Sequence, residues 1–157
     1  MPKLENVEAD IAMVAHRIAI EYAVNDESSL SDAVRDEGTL YHIIEASKNA
    51  EDVMFQAARI MYGIANFHPF VEGNKRTAWL MAMYVLDHIS VESMGREQVF
   101  NEFVRNMASG RYTELDIVAF FKQYGRAVSQ ESGNRTSESR LRYVAELHSD
   151  LLRMLSG

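Results

Sequence analysis

The chain has 157 residues, 47% of them hydrophobic and 25% charged, a balance that fits one folded domain with a sizeable core and excludes a wholly disordered chain. Its net charge of −7 argues against a general nucleic-acid binder, although a local basic site stays compatible with it. Cysteine is absent, which excludes disulfides and a thiol nucleophile and fits a reducing cytoplasm. Met1-Pro2-Lys3-Leu4-Glu5 has no signal-peptide apolar region. No apolar run reaches the roughly 20 residues that cross a bilayer, so the expectation is a cytoplasmic protein without a membrane segment.

Residues 4–23 read as a first helix, because Val7, Ile11, Val14, Ile18 and Tyr22 recur at helical spacing. Asn25 to Ser31 is a polar break. After Gly38, which supplies backbone freedom, a short helix is expected from about Leu40 to Ala46. Asn49 to Phe67 forms a strong helix with two adjacent stripes: Val53, Ala57, Ile60 and Ile64 beside Met54, Ala58, Met61 and Ala65. Pro69 ends it, since the residue before a proline is pushed out of the α region. Another helix begins at Asn74 and runs into nine successive hydrophobic residues, Ala78 to Leu86. That run is too short for a membrane and reads as a core helix.

Gly95 opens a helix with Val99, Phe100, Phe103, Val104 and Met107 on one face, and Gly110 ends it. Thr113 is the expected N-cap of a helix through Phe120 and Phe121 to Tyr124. Gly125 to Ser137 is polar and reads as a linker or loop. A last amphipathic helix spans Ser137 to Leu155, with Leu141, Val144, Leu147 or His148, Leu151 and Leu155 as its stripe. No strand series is expected. The architecture is all-α, a single domain of about seven helices.

Between the two core helices lies His68-Pro69-Phe70-Val71-Glu72-Gly73-Asn74-Lys75-Arg76. A polar loop feeding a helix N-terminus is a natural anion site. His68 is the candidate general base, because imidazole can take a proton near neutral pH. Glu72 offers a hard oxygen for Mg²⁺ beside a nucleotide phosphate. Gly73 lets backbone approach a phosphate. Asn74 either caps the helix or faces the ligand. Lys75 and Arg76 supply positive charge, Arg76 with a fork suited to phosphate oxygens. These are the parts that phosphoryl or nucleotidyl transfer requires. Each residue also has a plainer explanation: a structural histidine, a solvated acid, an N-cap, a solvated basic first turn. Bases in that turn oppose the helix dipole, which favours an anion nearby. Phe70 and Trp79 read as core anchors.

This stretch resembles the signature of the Fic/Doc family, whose Fic branch reads H-P-F-x-[D/E]-G-N-G-R. The Doc branch has lysine in place of the last glycine, followed by Arg-Thr-Ala, and Lys75-Arg76-Thr77-Ala78 follows Doc there. Pro69 and Gly73 are Fic-like. Val34-Arg35-Asp36-Glu37-Gly38-Thr39-Leu40 is similar to a segment of Doc-type proteins upstream of the signature. The resemblance implies a catalytic domain over residues 1–125, a linker over 126–137 and an additional helix over 138–157. It implies a transferase using ATP and Mg²⁺ on a Ser, Thr or Tyr hydroxyl of a protein. Fic members transfer AMP, whereas Doc members are toxins that transfer the terminal phosphate to a translation elongation factor. Carried over by position, His68 is the base, Glu72 the Mg²⁺ ligand, and Gly73, Asn74 and Arg76 the phosphate cradle, with Lys75 the departure from Fic. The inhibitory motif of many Fic proteins, [S/T]-x-x-x-E-[G/N], is not matched: Met1, Ala33 and His68 stand four residues before the Glu of Glu5-Asn6, Glu37-Gly38 and Glu72-Gly73. A separate antitoxin chain is therefore an expected partner. A non-catalytic nucleotide-binding or interaction module is the alternative of a different class.

Overall fold

A computed structural model describes residues 4–23, 33–130 and 133–155. The expected polar break at Asn25 to Ser31 lies outside the described residues, as does part of the expected linker. In chain order the helices are α1 (Ala9–Ile20), α2 (Glu37–Ser47), α3 (Val53–Phe67), α4 (Asn74–Val85), α5 (Glu97–Ala108), α6 (Glu114–Tyr124), α7 (Ser137–Leu147) and α8 (Ser149–Met154). Among the described residues the fold is all-α but for one small ribbon, and no described helix is long and apolar enough to cross a membrane.

Local chemistry fixes the helix starts. Asp36 and Asp52 cap α2 and α3 by accepting from the backbone N–H of Thr39 and Phe55. Thr113 caps α6 as expected, and Asp116 completes a capping box by accepting from the Thr113 backbone N–H. The first helix is shorter than its apolar stripe, because residues 4–8 are not helical. Val7 is nonetheless fully buried.

The core is built around the α3–α4 pair. α1 and α7 pack on α4, α2 and α6 pack on α3, and α5 contacts both. From Ala78 to Leu86 every residue of the apolar run is buried, with Trp79 wholly enclosed against Phe100 and Phe120. Such a helix, apolar all round, needs neighbours on every side.

Two features depart from the sequence reading. Ile89–Val91 (β1) pairs antiparallel with Gly125–Ala127 (β2), Ile89 opposite Ala127 and Val91 opposite Gly125. The polar stretch after Tyr124 thus begins as a strand and ends in Thr136, the N-cap of α7. Gly125 is required where α6 becomes β2: a Cβ there would sit 2.5 Å from the Phe121 carbonyl oxygen and 2.9 Å from Ile89.

The final helix also breaks into two at His148, which turns inward, so that His148 rather than Leu147 completes the buried stripe. Leu141, Val144, Leu151, Leu152 and Leu155 belong to the same core as α1 to α4. Arg140 of α7 ties them together, donating to Glu5 at 3.0 Å and to the Tyr84 carbonyl at 2.9 Å while lying over the Tyr84 ring.

Candidate functional site

The loop between α3 and α4 is held by an unusual backbone at its first residue. His68 ends α3 in the left-handed conformation, φ 51° and ψ 61°, and is the sole non-glycine residue with positive φ among those described. A residue with a Cβ pays roughly 1–2 kcal/mol there. Pro69 makes continuation of the helix unfavourable. Arg35 then locks the turn, donating from Nε to the His68 carbonyl and from Nη2 to the Phe67 carbonyl, each at 2.7 Å. These are carbonyls that a helix end leaves unsatisfied. The backbone of residues 33–36 also pairs with the loop: Val34 bridges Phe70, and the N–H groups of Arg35 and Asp36 donate to the Pro69 carbonyl. The result presents His68 exposed at the surface, flanked by Phe67 and Val71, also exposed. Strain retained by surrounding contacts is typical of functional positions.

Behind the loop, Phe70 is buried and stacks on His16 of α1, ring centroids 4.0 Å apart and nearly parallel. His16 donates from Nε2 to the Glu72 carbonyl at 2.6 Å. Because a carbonyl can only accept, this bond assigns the proton to Nε2. Glu72 thus has a fixed main chain and a partly exposed residue body.

Gly73, the residue before α4, has φ 77° and lies against α1: a Cβ would meet Ile20 at 3.2 Å and His16 at 3.3 Å. Glycine is needed here for backbone conformation and for the close approach of α1, in addition to any phosphate. Gly73→Ala is expected to lower stability by roughly 1–2 kcal/mol, read as a lowered denaturation midpoint. Wild-type stability of that variant would show that α1 can yield at this contact.

Asn74 is buried and turns back into the loop, accepting from the Phe70 N–H at 3.1 Å and donating to the Phe70 carbonyl at 2.9 Å. It does not cap α4; both ends of its amide close the loop on itself. Arg76 meets a partner far along the chain. It is 1% exposed and donates from Nε to the Leu152 carbonyl of α8 at 2.7 Å. Its side chain therefore faces the last helix and presents almost no surface to a phosphate. The helix start itself carries no side-chain cap, so its first turn keeps the character of an anion site.

Lys75 stands between these extremes. It is half-buried, and burial, then Arg105 of α5, then Arg76, push its ammonium pKa below the usual lysine value. Arg105 is turned toward α8 as well, donating to the Met154 carbonyl at 3.1 Å. Three cationic side chains thus crowd the positive end of α4.

His68 is thus exposed and Glu72 and Lys75 partly so, whereas Gly73, Asn74 and Arg76 are buried. Sequence reasoning missed His16 and Arg35 as partners of this loop. A signal for His16 was present: it interrupts the buried face formed by Ala12, Ala15 and Ala19.

A family model described as the Fic/DOC family matches residues 7–86, the segment from the start of α1 to the end of the α4 run. This is narrower than the expected catalytic domain over residues 1–125. No curated protein and no solved structure matches the chain. The match covers just over half of the chain and takes in the whole loop with both helices that carry it, and the chain belongs to the Fic/DOC family.

Proposed function

We propose that this protein transfers the terminal phosphoryl group of ATP to a Ser, Thr or Tyr hydroxyl of another protein, with His68 as general base. Membership of the Fic/DOC family supports the coarser part, nucleotide-dependent transfer to a protein. The observation that carries the catalytic role is His68 itself, exposed and held in a strained backbone state by Arg35. In the proposed step the substrate oxygen attacks the γ-phosphorus and its proton passes to the imidazole. The bond from that phosphorus to the bridging oxygen breaks, and ADP leaves. Such chemistry depends mainly on positioning and charge. The exposed Phe67 and Val71 beside His68 offer apolar surface to the protein substrate.

Glu72 suits a magnesium ion carried on the nucleotide phosphates. Among the described residues no cluster of three His, Cys, Asp or Glu side chains could enclose a metal by itself. Mg²⁺ beside a nucleotide is commonly held by one or two carboxylates plus phosphate oxygens and water, and one partly exposed carboxylate on an anchored backbone fits that pattern. When bound, the ion neutralises phosphate charge. Glu72→Gln is expected to raise the Mg²⁺ concentration needed for half-maximal activity, because an amide is a poorer ligand for a hard cation. An unchanged Mg²⁺ titration would move the ion elsewhere.

Transfer of the γ-phosphate in preference to AMP is favoured by Lys75, which replaces the small glycine of Fic sites with a half-buried cation. AMP transfer is the second reading, favoured by the Fic-like Pro69 and Gly73. As in the Doc branch, the proposed target is a translation elongation factor and the proposed restraint a separate antitoxin chain. The test is incubation of a cell lysate with ATP labelled at the γ or at the α phosphate. Protein label from γ alone is expected. Label from α would assign AMP transfer, and label from neither would contradict a transferase.

A further inference from the structure

The far end of α4 holds a cavity of about 230 Å³, remote in the helix from the His68 loop. Its floor is apolar and buried, formed by Met83, Leu86, Val91 and Val144, and its rim includes the exposed Met94 and Leu147. One polar pair is set into this wall. The Ser93 hydroxyl and His148 Nδ1 lie 2.7 Å apart, Ser93 2% and His148 6% exposed. No other hydrogen bond reaches the His148 ring among the described residues, so Nε2 is left to serve a ligand.

We infer that this cavity binds a small neutral apolar molecule carrying one hydroxyl group, anchored by the Ser93–His148 pair. The size is adequate: an apolar cavity of about 150 Å³ already admits benzene. The charge follows from the walls. Burial pushes the His148 pKa down to about 4, so the ring is neutral at pH 7 and offers an anion no positive partner. A hydroxyl is selected because one proton is shared within the Ser93–His148 pair. Whichever tautomer results, Nε2 either donates or accepts, and a hydroxyl can answer both. The residue that anchors the ligand is also the joint between α7 and α8. The Leu152 N–H donates to the His148 carbonyl, and the Leu152 carbonyl holds Arg76. This inference stands independently of the transferase reading.

The experiment uses the full chain with methyl-labelled methionine and titrates 4-methylphenol, with toluene and 4-methylbenzoate as controls. Saturable shifts are expected at Met83 and Met94, with the other methionines little changed. Toluene should bind about tenfold more weakly, the loss of one buried hydrogen bond, and the benzoate should not bind. Val144→Phe, which fills the cavity, should abolish the shifts. His148→Phe, which removes Nε2 and keeps an aromatic ring, should remove the preference for the phenol over toluene. Absence of saturable shifts at Met83, equal shifts at all methionines, or toluene binding as tightly as 4-methylphenol would each overturn the assignment.

Discussion

His68→Ala is expected to reduce transfer by roughly 10²–10⁴-fold, the usual loss for a general base, while leaving the helical circular dichroism intact. The side chain is exposed and its removal opens no cavity in the core. What constrains this position is backbone: φ 51°, with Arg35 bound to the carbonyls on either side of the bend. A second substitution separates the two roles. His68→Gly should be as inactive as His68→Ala yet more stable than the parent by roughly 1 kcal/mol, since glycine has no Cβ to strain in the left-handed region. A stabilised but inactive protein would show that the strain is kept for the imidazole. Near-normal transfer by either variant would remove His68 from the chemistry.

Lys75→Gly is expected to lose phosphoryl transfer or to gain AMP transfer. In a Fic-type site a small glycine leaves room for the β- and γ-phosphates, placing the α-phosphorus in line with the incoming hydroxyl. Here a long side chain stands at that point, half-buried, its pKa lowered by burial, then by Arg105 and Arg76. On the proposed reading, a nucleotide kept out of the deep cradle turns its γ-phosphate toward His68 instead. Mass spectrometry of a modified target decides the matter: the parent should add phosphate. Addition of AMP by the parent would contradict the role given to Lys75. The substitution places glycine in a helical first turn, at a cost of up to about 1 kcal/mol, so loss of fold is not the expected outcome.

The helices were readable because their signals are local. Apolar spacing marked α3 and α4, and Thr113 with Asp116 marked the start of α6. The turn at His68 and Pro69 was equally visible. What stayed hidden depends on partners far along the chain. Arg76 looks like a phosphate ligand in sequence, but the carbonyl it meets belongs to Leu152, which only folding brings near. Asn74 could have capped α4, yet the tight loop offers it both backbone groups of Phe70, four residues before it. His16 reaches Glu72 across 56 positions. Strands of three residues show too little alternation to be recognised, so the β1–β2 ribbon was not expected. The inward turn of His148 needed knowledge of Ser93, its partner across the fold. The position of the loop was thus legible, whereas the contacts that frame it were not.

The most direct test of the account is a crystal structure of the protein with Mg²⁺ and an ATP analogue whose β–γ bridge cannot be cleaved. The nucleotide is expected at the start of α4, its γ-phosphorus nearer the His68 imidazole than its α-phosphorus and Lys75 against the phosphate chain. An α-phosphorus facing His68, or a nucleotide bound away from this loop, would contradict it.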